Sequence, residues 1–252
     1  MNSQQIKEIL LSEIHEVSIN YEKYCNDPKR DFSRKRKLPF ELMLKNIIGM
    51  GSKSITNELI DIFQASGEMP SASAFVQQRT KIRPEALKAV FDGFMSRILA
   101  SADKMRILAV DGSDIQIETN PKDKTSHIST SIDKKSFNLL HLNALYDLEE
   151  HVYTDAIIQA AKSQNEHGAL NEMVDRSEIP KALVIADRGY ESYNDMAHIQ
   201  EKGWFFLIRI KDGRNGIKMG LELPRRNEFD LDVSLKLTRD IPMMPETALT
   251  VE

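Results

Sequence analysis

The sequence is poor in sulfur chemistry. Its 252 residues include a single cysteine, Cys25. That excludes an internal disulfide framework and a thiolate zinc cluster, and makes a reducing cytoplasm the default compartment. No apolar run approaches the ~18 residues needed to cross a bilayer. The opening MNSQQIKEILLSEIHEV carries acidic residues where a signal peptide has a clean apolar core, so export is not expected. His127, His141, His151 and His167 are scattered and no H-E-x-x-H occurs, so no zinc site is built; each reads as a surface or satisfied core residue. The absence of G-x-S-x-G leaves a serine hydrolase without support. GMGSKS (49–54) lacks phosphate-loop spacing and follows no strand, so it reads as a helix-ending glycine turn. There is no internal repeat and no low-complexity tract.

What remains is an ordinary globular composition, 41% hydrophobic and 29% charged, with net charge −4. The charge is unevenly spread. Residues 1–104 carry a net +3 and residues 105–252 a net −7. The basic excess is concentrated in PKRDFSRKRKL (28–38), including Arg34, Lys35, Arg36 and Lys37. Such a cluster either docks on phosphates or is a solvated loop.

The first ~100 residues have helical period. Ile6, Ile9, Leu10, Ile14 and Val17 mark one helix, and LPFELMLKNIIGMG a second that glycines should stop. SITNELIDIFQAS opens on Ser54 as a plausible N-cap. GEMPSAS reads as a turn, and RPEALKAVFDGFMSRILASAD resumes helix, with Pro84 suited to a first turn.

At Met105 the pattern changes to strands. MRILAVDGSDIQIE, FNLLHLNALYDLEE and HVYTDAIIQAA read as three, with NPKDKTSH (120–127) a polar loop and Glu149-Glu150 a hairpin turn. NEHGALNEMVDRSEI is a short helix and KALVIAD a fourth strand. SYNDMAHIQEKG is a helix ending at Gly203, and WFFLIRIKD is a fifth strand. The order β-β-β-α-β-α-β predicts an α/β fold with a mixed sheet and helices packed on it. Residues 220–238 have room for two short strands.

Two strings then invite comparison: RILAVDGSD (106–114) and ALVIADRGY (182–190). Each is an apolar run followed by an aspartate. If the first and fourth strands lie parallel and adjacent, Asp111 and Asp187 share one edge of the sheet, where ligands of open α/β sheets bind. Two ionised carboxylates so close need a shared proton or a divalent metal between them. Two such ions can drive a phosphodiester displacement. Asp before Gly also ends strands for purely local reasons, so Asp187 alone is ambiguous and the pair carries the reading. Asp114 faces away from Asp111 by the two-residue period. Asp147 and Asp155 read as strand-end or surface groups.

AVDGS around Asp111, IADRGY around Asp187, and Gly203, Phe206, Arg209 and Lys211 in G-x-x-F-x-x-R-x-K resemble the DDE transposases of IS4-type insertion sequences. KLPFELMLKNIIGMGSKSITNELIDIF and SASAFVQQRTKIRPEALKAVFDGF are also similar to that family's helical entry region. The resemblance covers roughly residues 34–213. It implies an RNase H-like catalytic core after an all-helical N-terminal domain. Residues 1–104 would be the DNA-binding region, 105–213 the first part of the core, and 214–252 the start of an incomplete β-rich insertion. It further implies Asp111 and Asp187 as catalytic, metal-binding acids for Mg²⁺ or Mn²⁺. Arg34, Lys35, Arg36, Lys37, Arg188, Arg209 and Lys211 would serve as DNA-contacting cations. The partners would be double-stranded element ends and target, with a homodimer in the synaptic complex, in the bacterial cytoplasm at the nucleoid. The family's third acid lies in a late Tyr-x-x-Arg-x-x-x-Glu pattern. No tyrosine follows Tyr193, so the expectation is a C-terminally truncated or inactive copy with two of three ligands. The alternative expectation is a non-catalytic DNA-binding remnant of a transposase.

Overall fold

The computed structural model describes residues 2–34, 36–99, 104–129, 135–211, 217–218, 223–224, 228, 230–232, 235–237 and 249–251. The chain divides into two compact units, Met1–Ser101 and Ala102–Glu252.

The described residues of the first unit carry helices α1 (Ser3–Ile19), α2 (Phe40–Gly49), α3 (Ile55–Phe63), α4 (Ala72–Arg79) and α5 (Glu85–Leu99), and a short 3₁₀ turn, Tyr21–Tyr24. The three- and four-residue spacing seen in α1 buries Ile14 and Val17 with Cys25, Phe40, Leu44 and Val90. Glu13 is also buried on α1, where it pairs with Arg97 of α5. A second cluster joins Leu38, Met43, Leu59 and Phe75. Ser54 caps α3 as its sequence suggests, its side chain accepting the Asn57 N–H. Helix α4 is not legible in the sequence: it begins inside the expected GEMPSAS turn and offers little periodic apolar pattern beyond Phe75. It forms because Ser71 caps it and Phe75 plugs the second cluster.

In the second unit the elements run β1 (Arg106–Ile117), β2 (His127–Ile128), β3 (Phe137–Asp147), β4 (Val152–Ala160), α6 (Glu166–Arg176), β5 (Ala182–Ala186), α7 (Tyr193–Glu201) and β6 (Phe205–Ile208). Strand β2 is a correction, since it lies at the end of the expected polar loop and borders β3. A separate two-stranded sheet pairs β7 (Leu235–Leu237) antiparallel with β8 (Leu249–Val251). Only β7 falls in the 220–238 stretch expected to hold two strands; the rest of that stretch lies mostly outside the described residues.

The main sheet is mixed. Its order is β2-β3-β1-β5-β6, with β4 also on β3. β1 runs antiparallel to β3 and parallel to β5, and β5 runs parallel to β6. The parallel strands need crossovers, which α6 and α7 supply. On one face Arg106, Leu108 and Val110 of β1 and Ala182, Val184 and Ala186 of β5 are buried. Their counterparts are Ala169, Leu170, Met173 and Val174 of α6 and Met196, Ala197 and Ile199 of α7. Arg176 ties α6 to β4 through a two-point pair with Asp155, 2.8 Å at each nitrogen, so Asp155 is a packing group and not a loose surface one. Gly203, at φ 76°, ends α7 in the left-handed conformation that glycine adopts freely. The opposite face is less covered: Phe205 is 53% and Leu207 60% exposed.

Candidate active site

The parallel register builds the site. Arg106 pairs with Ala182 and Ala109 with Ile185. Continued by two residues, the same register sets Asp111 level with Asp187. On the other side of β5, Leu183 pairs with Phe205 and Ala186 with Ile208. That register sets Arg209 level with Asp187, and the Arg209 N–H donates to the Ala186 carbonyl at 3.1 Å. Two acids and one guanidinium-bearing residue therefore form a row across three strands. The alternation of side chains puts Asp111 with Ile107 and Ala109, and Asp187 with Leu183 and Ile185, on the same side of the sheet.

Each acid is braced by a backbone amide. Gly112 donates its N–H to Asp111 Oδ1 at 2.9 Å, and Gly189 donates to Asp187 Oδ1 at 2.6 Å. Asp187 thus caps the 3₁₀ turn Arg188–Tyr190 while it presents a carboxylate at the strand end. Strand stop and exposed carboxylate coincide in one residue.

The remaining expected site residues divide. Arg209 in the row and Arg188 beside it are exposed, and so is Lys211, whose backbone N–H donates to Glu191 at 2.5 Å. In the first unit Arg34 and Arg36 line a groove of about 630 Å³ together with Lys29, Arg30 and Lys81. Asp27 and Asp31 also line it, so its charge is mixed but mainly basic. Lys37 reaches the Gly67 carbonyl at 2.9 Å. Lys35 lies outside the described residues.

Several site neighbours escape sequence reasoning. Tyr190 is 2% exposed, and its hydroxyl has no hydrogen-bond partner among the described residues. Burial, then the carboxylates of Glu166, Asp111, Asp187 and Asp195, push its phenol well above the ordinary value. Asp195, fully buried on α7, accepts from Asn171 at 3.1 Å and meets His167 Nδ1 at 2.5 Å. His167 packs edge-on against the Tyr190 ring. His141 is a correction to its reading as a surface or satisfied group. It is buried, meets Asp114 at 2.8 Å through Nδ1, and lies 3.1 Å from Glu166 through Nε2. That second approach is within ion-pair range, and among the described residues Nε2 makes no aligned hydrogen bond. The usable signal is Asn165-Glu166-His167 opening a helix directly after the third strand.

A family model described as "Transposase DDE domain" matches residues 102–234, more than half of the chain. The chain belongs to this family. The transposase DDE domain therefore contains Asp111, Glu166, Asp187 and Arg209 together. No curated protein matches the chain. Two solved structures are similar to it. One is a piggyBac transposase synaptic complex with hairpin DNA: TM-score 0.44, 11% identity, covering 94% of this chain and 54% of that one. The other is a Drosophila P element transposase strand transfer complex: TM-score 0.36, 12% identity, covering 82% and 48%. The chain thus spans about half the length of these structures, and likeness at this level carries no functional argument.

Would the transposase DDE domain suit a divalent cation? Among the described residues no three histidine, cysteine or acidic side chains converge on one point. Mg²⁺ does not require that: it takes one or two carboxylates, keeps several waters and accepts substrate phosphate oxygens. Two carboxylates set level by the parallel register, Asp111 and Asp187, offer the hard-oxygen donors that chemistry uses. Among the described residues no helix is long and apolar enough to cross a membrane.

Proposed function

We propose that this chain is a DNA transposase of the IS4 type on an RNase H-like core, which cuts and joins DNA at insertion-element ends. The observation that carries this reading is the shared register of Asp111 and Asp187 on neighbouring parallel strands, within a transposase DDE domain. Mg²⁺ or Mn²⁺ held by these two acids would activate the attacking oxygen and stabilise the leaving one. The chain's own groups do the positioning. The Gly112 and Gly189 amides orient the two carboxylates, and Arg209 and Arg188, with Lys211 near by, draw a phosphate toward them. In the first unit Arg34 and Arg36, flanked in sequence by Lys35 and Lys37, hold the duplex backbone. Residues 1–104 act as the DNA-binding region and 105–213 as the first part of the catalytic core, with 214–252 entering a β-rich insertion. The partners are the element ends and target, bridged by a homodimer in a bacterial cytoplasm.

The test is strand cleavage. A labelled duplex bearing the ends of the encoding element is incubated with the full chain and Mg²⁺ or Mn²⁺. Metal-dependent nicking is expected, and both Asp111→Asn and Asp187→Asn should abolish it. Nicking that survives either substitution would remove that acid from the site.

A second reading, a DNA-binding remnant that does not cut, is favoured by one observation. It is the basic groove that Arg34 and Arg36 line in the helical first unit. Metal titration separates the two readings, since a simple binder holds duplex equally well in a chelator.

A further inference from the structure

Helix α4 buries Phe75 and Gln78 and leaves Ser73, Gln77 and Thr80 exposed. Spaced by four residues and then three, these three fall on one face of the helix. Ser71 fixes the first turn, its side chain accepting the Ala74 N–H at 3.2 Å. The outer face is therefore polar and uncharged, and only Gln77 on it is long.

Gln77 and Gln78 both line the groove of the first unit, and their work differs. Gln78 is 7% exposed. Its Nε2 donates to the Leu38 carbonyl at 3.4 Å, and its Oε1 accepts from Lys81. Gln77 leans on its own helix, Nε2 to Ser73 Oγ at 3.4 Å, a long contact that a better partner displaces. Lys29, Arg30, Arg34, Arg36 and Lys81 line the same groove. Its two acids are used locally. Asp31 accepts the Asp27 N–H at 3.0 Å, and Asp27 accepts the Lys29 N–H at 3.2 Å.

Five cations against two acids suit a polyanion, and a neutral amide among them adds what cations on phosphates do not. Phosphate contacts position a protein on a duplex, while contacts to base edges carry the sequence. A glutamine amide offers a donor and an acceptor side by side, which match N7 and N6 of adenine in the major groove. That groove is about 12 Å wide and admits an α-helix.

We propose that α4 enters the major groove of duplex DNA and that Gln77 reads an adenine there, with Arg34 and Arg36 on the flanking phosphates. This rests on the reading of the first unit as the DNA-binding region, and adds the residue that sets a base preference. Ser73 and Thr80 suit the same role, since their short side chains let the helix approach the bases closely.

The test is selection from a pool of random-sequence duplexes by the full chain, without divalent cation so that no strand is cut. Wild type should enrich an adenine at one fixed position, preferred by ~10-fold. Gln77→Ala should lose the preference at that position alone. Gln77→Glu should move it toward cytosine, whose N4 amine a carboxylate accepts from. Gln77→Ala removes no cation, so the salt slope should stay as it is. Melting curves check folding of both variants. Wild-type preference in both, or no base preference in wild type, overturns the role of Gln77 while duplex binding stands. An equal loss of affinity for every sequence in Gln77→Ala makes the residue a backbone contact and overturns it likewise. No duplex binding by wild type at low salt overturns the DNA-binding role of the first unit and this proposal with it.

Discussion

Asp187 shows how one residue serves two ends. Its Oδ1 accepts the Gly189 N–H and so turns the chain after β5, and the same geometry leaves the carboxylate at the sheet edge. Other charged residues have purely structural work. Arg106 and Asp147, both buried, meet at 2.7 Å. Burial would raise the Asp147 pKa, but the Glu150 N–H, the Arg106 side chain and the Glu149 N–H outweigh it and hold the carboxyl below the usual range. Removing one partner of such a pair leaves an uncompensated buried charge. Asp147→Asn should therefore cost about 3–5 kcal/mol, read as a shift in the urea midpoint. The single thiol is a third case. Burial, then Asp31 and Glu22, push Cys25 up to about 11. At pH 8 roughly one thiol in a thousand is then the reactive thiolate. Cys25 should resist a disulfide reagent in the folded chain and react promptly in denaturant. Fast labelling of native protein would contradict its burial.

Among the elements, the segment from Asn120 to His127 is the most informative. Its sequence reads as a polar loop, yet it is tightly tied. Asp123 accepts from the Ser126 hydroxyl at 2.5 Å, the Thr125 hydroxyl at 2.6 Å and the Thr125 N–H at 3.1 Å. Asn138 of β3 adds bonds to Ser126 at 2.8 Å and to the Asn120 carbonyl at 3.1 Å. The Ser126 and Thr125 bonds lower Asp123 from 3.8 to about 2. A depressed folded pKa adds stability above the unfolded value. That contribution is complete above pH 3.8 and is lost as pH falls toward about 2. Wild type should lose stability over that window more steeply than Asp123→Asn, measured by denaturant melts at stepped pH. Helix α6 depends on a local device of the same kind. Asn165→Ala removes its N-cap and should cost about 1 kcal/mol.

For the whole molecule, charge distribution matters more than net charge. A chain of net −4 is a poor DNA binder on average, but the basic excess lies in the first unit, along the groove that Arg34 and Arg36 line. If those residues bind phosphates, the logarithm of the affinity for duplex DNA should fall linearly with log salt. Arg34→Ala with Arg36→Ala should lower that slope by about 2, one for each cation removed. An unchanged slope would place the DNA elsewhere. The exposed Phe205 and Leu207 belong to the same scale, since apolar area on one sheet face is unusual for a surface left to water.

How much is legible follows from the kind of signal each part carries. Alternation and helical spacing are local, so the strand and helix series of the second unit, the Ser54 cap and the Gly203 stop can be read from the chain. The paired strings around Asp111 and Asp187 are also visible, because each is an apolar run meeting an acid. Helix α4 and strand β2 are not, since one rests on a single plugging aromatic and the other on pairing with β3. The sequence by itself determined which two apolar runs meet an acid and where the positive charge lies. Only the tertiary structure decided that Arg209 joins the row of Asp111 and Asp187, that Arg106 finds Asp147, and that Gln77 lines the groove of Arg34 and Arg36. Those are meetings between residues tens of positions apart, set by register and by helices crossing a sheet, and no local period in a sequence encodes them.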